Sequence, residues 1–415
     1  MSSVYVAGID VHKQVLMVVV GSSDTAEHTW VGLKCGTTTS ELERLAGWLT
    51  SRGVHRVAME STAAYWFPVW QVLEERFELV LAQPRSTQAP RGRKSDFADA
   101  RRIVKRLLSD DLTVSYVPGP EQRQWRLLTR ARTRLIDMKV MVRNQLEATL
   151  EDARIKLDTV VSDLLGVSGV RILKALSQGE ADVDKLADLA DRRVKATREQ
   201  MREALKGRVR PEHQKMLAMA LEHLALLDRQ IAKLEVDAAE AMKAHEKVVG
   251  RLCEVPGIGP EAALQIIAEI GPDAKAFRSA NKIASWVGLC PGRNESAEKP
   301  GSCRSPKGNK ALRRLMAQVA HAGVNKKGCW IGTRYRSWLV RMGRQKAIWA
   351  IAHRLLRIVW KILHDGVRYV ERATIPVSPE LRSKRKQSLT AQLKRLGYSV
   401  QLCDLTSPEA SDAPA

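Results

Sequence analysis

The 415-residue sequence predicts an α/β domain followed by two largely helical regions, and three observations carry that reading. Short β-branched runs alternate with amphipathic helical stretches up to about residue 115. Strand-like runs are then absent for more than a hundred residues, and a Gly/Pro turn near Leu252 opens a third, basic region. The boundaries read as 1–115, 116–248, 249–372 and a tail, 373–415, basic and then disordered in composition.

Residues 4–9 (VYVAGI) and 15–20 (VLMVVV) are β-branched runs separated by a short polar connection, the pattern of two paired strands. A third strand is expected near residues 27–33. In TTTSELERLAGWLTSRG, Ser40 is placed to cap a helix whose Leu42, Leu45, Trp48 and Leu49 share a face and which Gly53 ends. Strand VHRVAM closes in Glu60. A helix over about 65–76, strand ELVLAQP, a basic loop at 84–94 and a helix over about 95–108 complete the series. The order β-β-β-α-β-α-β-α is the ribonuclease H-like arrangement, a mixed sheet with helices on both faces; an unrelated α/β sandwich is the runner-up.

From about Pro120 to Lys247 apolar residues recur at three- and four-residue steps. Leu128, Leu135 and Val142 fall seven apart, and Leu217, Ala220, Leu224, Leu227, Ile231, Leu234 and Ala238 form a coiled-coil-like seam. Such a stripe is more often a bundle core within one chain than a dimer interface. Residues 155–210 read as further helices broken by Gly166, Gly169 and Gly179. The third region opens with CEVPGIGPEAALQIIAEIG, continues through a loop at 288–309, and runs on as basic helices to about His364.

Composition narrows the function. The net charge of +22, spread along the chain, favours a polyanionic partner and nucleic acid over a membrane surface. A hydrophobic share of 44% with 27% charged residues excludes wholesale disorder. No run of eighteen apolar residues and no secretory start occurs, so a cytoplasmic protein is expected. The six cysteines (Cys35, Cys253, Cys290, Cys303, Cys329, Cys403) have neither CxxC nor zinc spacing and read as reduced thiols. Walker A and GxGxxG loops are absent from the sequence, as are a GxSxG elbow and a Ser-His-Asp set.

Four carboxylates are the candidate chemistry. Asp10 closes the first strand, Glu60 the fourth, and Asp96 and Asp99 stand one helical turn apart in SDFADARR. In a ribonuclease H-like sheet the first and fourth strands are neighbours and the last helix crosses their ends, an arrangement able to hold Mg²⁺ or Mn²⁺. Arg85, Arg91, Arg93, Lys94, Arg101, Arg102, Lys105 and Arg106 surround these acids and suit a phosphodiester backbone. In VPGIG, Gly257 and Gly259 allow either a phosphate at a helix N-terminus or a tight helix–helix turn. The 288–309 loop and the helix after it carry Ser296, Ser302 and Ser305 among Arg293, Lys299, Arg304, Lys307, Asn309, Arg313 and Arg314. A serine there is ordinarily a loop serine, and becomes a nucleophile only where cations or a base activate it.

Taken in order, GIDVHK, AMEST, RKSDFADARR, VPGIG, GLCPGRNES and KGNKALRRL resemble the DEDD transposases of the IS110 insertion-sequence family, over about residues 4–110 and 250–365. The resemblance implies a site-specific recombinase that excises and inserts its mobile element, with a RuvC-like N-terminal domain, a coiled-coil linker and a C-terminal transposase domain. It implies Asp10, Glu60, Asp96 and Asp99 as metal ligands and Ser296 as the nucleophile of a 5′-phosphoserine link. It further implies a structured bridge RNA that pairs with donor and target DNA, and dimers assembling to tetramers in a prokaryotic, nucleoid-associated setting, which shifts the seam towards an intermolecular role. The sequence departs from the family pattern after Ser296, where AEKPGSC replaces a glycine-rich run, so Ser302 and Ser305 stay in view. A Holliday-junction-type nuclease and a non-catalytic nucleic-acid scaffold are the competing readings. A tyrosine recombinase is disfavoured because Tyr335 lacks a catalytic Arg-His-Arg set.

Overall fold

The β-branched runs of the N-terminal region pair as one five-stranded sheet. It is built from β1 (Tyr5–Val11), β2 (Val15–Ser22), β3 (Val31–Gly36), β4 (Val54–Glu60) and β5 (Glu78–Ala82), in the order β3-β2-β1-β4-β5. The hairpin β1–β2 and the pair β2–β3 are antiparallel, whereas β1–β4 and β4–β5 are parallel. Each parallel crossover contains a helix, α1 (Thr39–Ser51) or α2 (Trp66–Leu73). Both faces are covered. Ala7, Ile9 and Val11 of β1, with Val57 and Met59 of β4, pack against Leu42, Leu45 and Leu49 of α1 and Val69 and Leu73 of α2. The alternate residues Val6 and Ala58 meet Ala100, Ile103, Val104 and Leu107 of α3 (Ala98–Leu108) on the opposite face. Each of the buried Val, Leu, Ile and Met side chains among these contributes about 1.5–3 kcal/mol.

The computed structural model describes residues 4–60, 64–83, 97–291, 295–296, 299–300, 305, 308–371, 379–395 and 399–400. It divides into two compact units, Met1–Gly119 and Pro120–Ala415. In the second, α4 (Pro120–Asp152) and α9 (Pro211–Ala241) form an antiparallel pair, as the bridges Lys139–Asp228 and Arg132–Glu235 require. Four short helices, α5 (Leu157–Val160), α6 (Val167–Ser177), α7 (Val183–Asp188) and α8 (Arg198–Leu205), connect them. The remaining body comprises α10 (Glu246–Cys253), α11 (Pro260–Ile270), α12 (Ala280–Val287), α13 (Lys310–Asn325), α14 (Trp330–Met342) and α15 (Arg344–Asp365), followed by α16 (Pro379–Arg395). Among the described residues no helix is long and apolar enough to cross a membrane. Cys35, Cys253, Cys290 and Cys329 are free thiols.

Several sequence expectations are corrected. The third strand lies later than expected: residues Glu27–Thr29 form a 3-10 turn closed by Thr29 and Trp30 backbone bonds, and the ladder with β2 begins at Val31. Thr38, not Ser40, is the N-cap residue of α1. Gly169 does not break a helix; it lies inside α6, where a β-carbon would fall 2.0 Å from the Leu164 carbonyl oxygen. The apolar seam of α9 is satisfied within the chain over much of its length, Leu217, Leu224 and Leu227 sharing a core with Val142, Leu146 and Leu150 of α4. Those leucines are therefore buried before any second chain arrives. The basic part of the tail, for which no element was expected, contains the helix Pro379–Arg395.

Gly8 sets the distance between α3 and the sheet. A β-carbon there would sit 2.5 Å from the Ala100 carbonyl oxygen and 2.9 Å from the Val104 nitrogen, both backbone atoms that cannot swing aside. Gly8→Ala should destabilise the N-terminal unit by roughly 1–3 kcal/mol, read as an earlier unfolding transition of the full-length protein in urea.

Candidate active site

Strand alternation places the first two acids. Ile9 pairs with Met59, so Asp10 and Glu60 follow as the next residues along neighbouring parallel strands, and both have the parity that faces α3. Asp99 enters from the first turn of α3, which the Gly8 contact holds against β1. Asp10 is largely buried, its side chain 16% exposed. Burial raises its pKa above the ordinary carboxylate range; His12, 3.2 Å away, opposes the rise, and the negative charges of Asp99 and Glu60 add to it. Three of the four predicted acids therefore act electrostatically at one edge of the sheet. The fourth, Asp96, lies outside the described residues.

The arrangement is not a closed metal cage. Arg102 Nη1 donates to Asp99 Oδ1 at 2.6 Å, and among the described residues no three His, Cys, Asp or Glu side chains stand close enough to hold a metal ion. The donor chemistry nevertheless fits a hard divalent cation. Every contributor is a carboxylate oxygen, and the Asp10 pKa, raised first by burial and further by the charges of Asp99 and Glu60, marks a carboxylate whose ionised form a cation would stabilise. Of the cations expected to meet nucleic acid here, Arg91, Arg93 and Lys94 lie outside the described residues. Arg102 is engaged with Asp99, while the buried Nε of Arg101 has no hydrogen-bond partner among the described residues.

The serine loop belongs to the second unit. Helix α12 ends at Gly288 in the left-handed conformation, and Glu295–Ser296 pairs antiparallel with Lys299–Pro300, placing Ser296 opposite Lys299. Ser305 is exposed; Ser302, Arg293 and Lys307 lie outside the described residues. At the loop's far end the Asn309 backbone N–H donates to the Trp286 carbonyl at 3.1 Å. Its side-chain Oδ1 accepts from the Leu312 N–H at 3.0 Å, which caps α13. Asn309 Nδ2 donates to Glu269 Oε2 at 2.6 Å.

Glu269 is a buried charged residue next to this loop that the sequence reading missed. Its side chain is 3% exposed, at the end of α11, and Arg130 of α4 grips it with two bonds of 2.7 and 2.9 Å. Arg126 approaches it at 3.4 Å and also donates to the Ala268 carbonyl, as Gln122 does. Gln122, Arg126 and Arg130 are spaced four residues apart on α4: the first two satisfy the carbonyls of Ala268 and Glu269 near the end of α11, and Arg130 holds the Glu269 carboxylate. The available signal was a lone acid inside the apolar run AALQIIAEIG. Burial tends to raise the pKa of Glu269, but the Arg130 hydrogen bonds, the two guanidinium charges and Asn309 hold it below the usual range.

The other predicted nucleic-acid contacts have intramolecular partners. Gly257 (φ 94°) packs against α13, where a β-carbon would meet the Val319 carbonyl oxygen at 2.4 Å; a helix–helix contact thus accounts for this glycine. Gly259 is the N-cap of α11. Arg314 pairs with Asp137 of α4, and Arg313 stacks over the Trp349 ring at 4.9 Å.

Comparison with known proteins agrees with both halves of this geometry. A transposase model of the DEDD IS110 type matches residues 7–155, and a model for transposases of the IS116/IS110/IS902 family matches residues 249–336. The chain belongs to the IS110 family of DEDD transposases. It is similar to the Pseudomonas aeruginosa protein named "Probable family 20 transposase", 28% identical over 322 residues, covering 75% of this chain and 85% of that protein. Two Sinorhizobium fredii proteins named as transposases, y4pF/y4sB and y4rJ, are 23% and 26% identical. They align over 75% and 79% of this chain and over 74% and 82% of their own lengths. The transposase is accordingly an enzyme that cleaves and rejoins DNA, and its DEDD domain suggests dependence on a divalent metal.

Two outcomes are expected of the described groups. Replacing Glu269 by Ala strands Arg126 and Arg130 beside an empty buried site and should cost about 3–5 kcal/mol in unfolding free energy. Because the folded pKa of Glu269 is lowered, its contribution is present above the unfolded carboxylate value and fades as pH falls through the folded one, so the stability difference between wild type and variant should shrink in acid. At Asp10 the sign reverses. A raised folded pKa means that the charged form opposes folding near neutral pH, so Asp10→Asn should raise the metal-free melting temperature of the N-terminal unit, measured by calorimetry.

Proposed function

We propose that this transposase exchanges DNA strands through a covalent 5′-phosphoserine intermediate formed at Ser296, with Asp10, Glu60, Asp96 and Asp99 holding Mg²⁺ or Mn²⁺ in a ribonuclease H-like domain of the RuvC type. The observation that carries the reading is the electrostatic convergence of Asp10, Glu60 and Asp99 at the edge of a sheet ordered β3-β2-β1-β4-β5. A bound divalent ion would supply charge stabilisation to the phosphate oxygens during transfer.

The protein's own groups account for the rest. The Ser296 oxygen attacks phosphorus, the bond from phosphorus to the 3′ oxygen breaks, and the serine proton ends on the released 3′ hydroxyl; attack by the 3′ hydroxyl of another strand reverses these events and frees the serine. The backbone of the short hairpin pairs Ser296 with Lys299, a residue type whose positive charge can stabilise a serine alkoxide. Asn309, fixed by Glu269 and by its cap on α13, anchors the end of the loop. The same reading places donor and target DNA under the direction of a structured bridge RNA, assigns residues 249–372 to a C-terminal transposase domain, and has the chain act in the prokaryotic cytoplasm as dimers that assemble to tetramers.

The test combines purified protein, its flanking non-coding RNA, end-labelled donor and target DNA and Mg²⁺, resolved on denaturing gels. Wild type should give a protein–DNA adduct, and Ser296→Ala should give none while nucleic-acid binding changes less than about threefold. Adduct formation by Ser296→Ala would move the nucleophile to Ser302 or Ser305. Cleavage to free 5′-phosphate ends with no adduct would establish a resolvase-type nuclease instead.

A further inference from the structure

We infer that α16 (Pro379–Arg395) is a duplex-DNA-binding arm, separate from the DEDD site and from the serine loop. Its sequence, PELRSKRKQSLTAQLKR, carries Arg382, Lys384, Arg385, Lys386, Lys394 and Arg395 against the single acid Glu380. From Lys386 to Arg395 every side chain is exposed except Thr390, which is half-buried and donates its hydroxyl to the Lys386 carbonyl at 3.0 Å. Leu389 and Leu393 are 54% and 41% exposed.

A helix of this kind has little to hold it by itself. In proteins most helical stability comes from packing an apolar face, and the exposed stretch from Lys386 to Arg395 packs little of one. Three leucines in seventeen residues, Leu381, Leu389 and Leu393, among six cations offer too little apolar surface to dock on a protein groove or enter a membrane. What the sequence does offer is positive charge distributed around the helix, and the compensating partner is a polyanion.

Duplex DNA is the polyanion that this enzyme's reaction supplies, and its shape suits the helix. At 1.5 Å per residue α16 is about 25 Å long, and the major groove of B-form DNA, about 12 Å wide, admits a helix. The deep, narrow major groove of A-form RNA does not admit side chains in that way. The arm adds affinity that is independent of sequence and leaves target choice to other parts of the molecule.

The test uses the full-length protein with Lys386, Lys394 and Arg395 all changed to Gln, titrated by fluorescence anisotropy into an arbitrary-sequence DNA duplex between 50 and 200 mM KCl. Removal of about three phosphate contacts should reduce the slope of log K against log salt by roughly 2–3 and weaken binding at 100 mM at least tenfold. The melting temperature should stay within about 1 °C of wild type, since these three side chains are exposed and surface changes away from packed features are nearly neutral. Changing Arg395 to Lys in an otherwise wild-type chain should retain the salt slope. An unchanged slope in the Gln variant overturns the inference. So does a loss confined to structured RNA, which would assign the arm to RNA, and so does a lowered melting temperature with an unaltered slope, which would make α16 a packing element.

Discussion

A single buried carboxylate organises the second unit. Glu269 lies at the end of α11 with almost no access to water, and an anion in that position is tolerable only because Arg126 and Arg130 supply charge and Asn309 a further hydrogen bond. The long helix α4, the glycine-turned α11 and the cap of α13 are thereby fixed to one another at one point. The loop bearing Ser296 begins after α12 and ends at Asn309, so its closing residue inherits the rigidity of that ionic cluster. Gly257 contributes from the other side, bringing the turn before α11 onto the backbone of α13.

The N-terminal unit is governed by the opposite electrostatic situation. Asp10, Glu60 and Asp99 bring like charges together, with His12 and Arg102 offering partial compensation; burial, with these charges adding to it, raises the pKa of Asp10. Aliphatic packing on both faces of the sheet, including the contact of α3 on Gly8, maintains this unfavourable convergence. Stability stored in the core thus offsets a local strain whose natural relief is a bound cation, the pattern expected where a site is kept for chemistry.

Local pattern made much of this legible in advance. β-branched runs and helix stripes identified the five strands and the three helices around them, because a sheet buried on both faces needs those side chains at those steps. Errors arose where two local choices were nearly equal. The stretch Glu27–Thr29 closes a turn with its own backbone bonds before the strand starts, and Gly169 serves a close approach inside a helix instead of ending one. The seam of α9 illustrates a deeper limit. Heptad spacing records that a stripe will be buried and says nothing about which chain supplies the other side; here α4 of the same chain supplies much of it.

The same division holds at the site. The sequence by itself determined the identities and spacing of Asp10, Glu60 and Asp99, the order of the elements that carry them, and the family, since each follows from short motifs and strand parity. Tertiary structure alone decided that Glu269 is the buried anchor of Asn309, that Gly257 packs on α13, and that Arg313 and Arg314 already have intramolecular partners. Glu269 and Arg130 lie 139 residues apart. Local periodicity fixes which face of a helix is buried, whereas the pairing of distant charges depends on the three-dimensional path that brings those faces together.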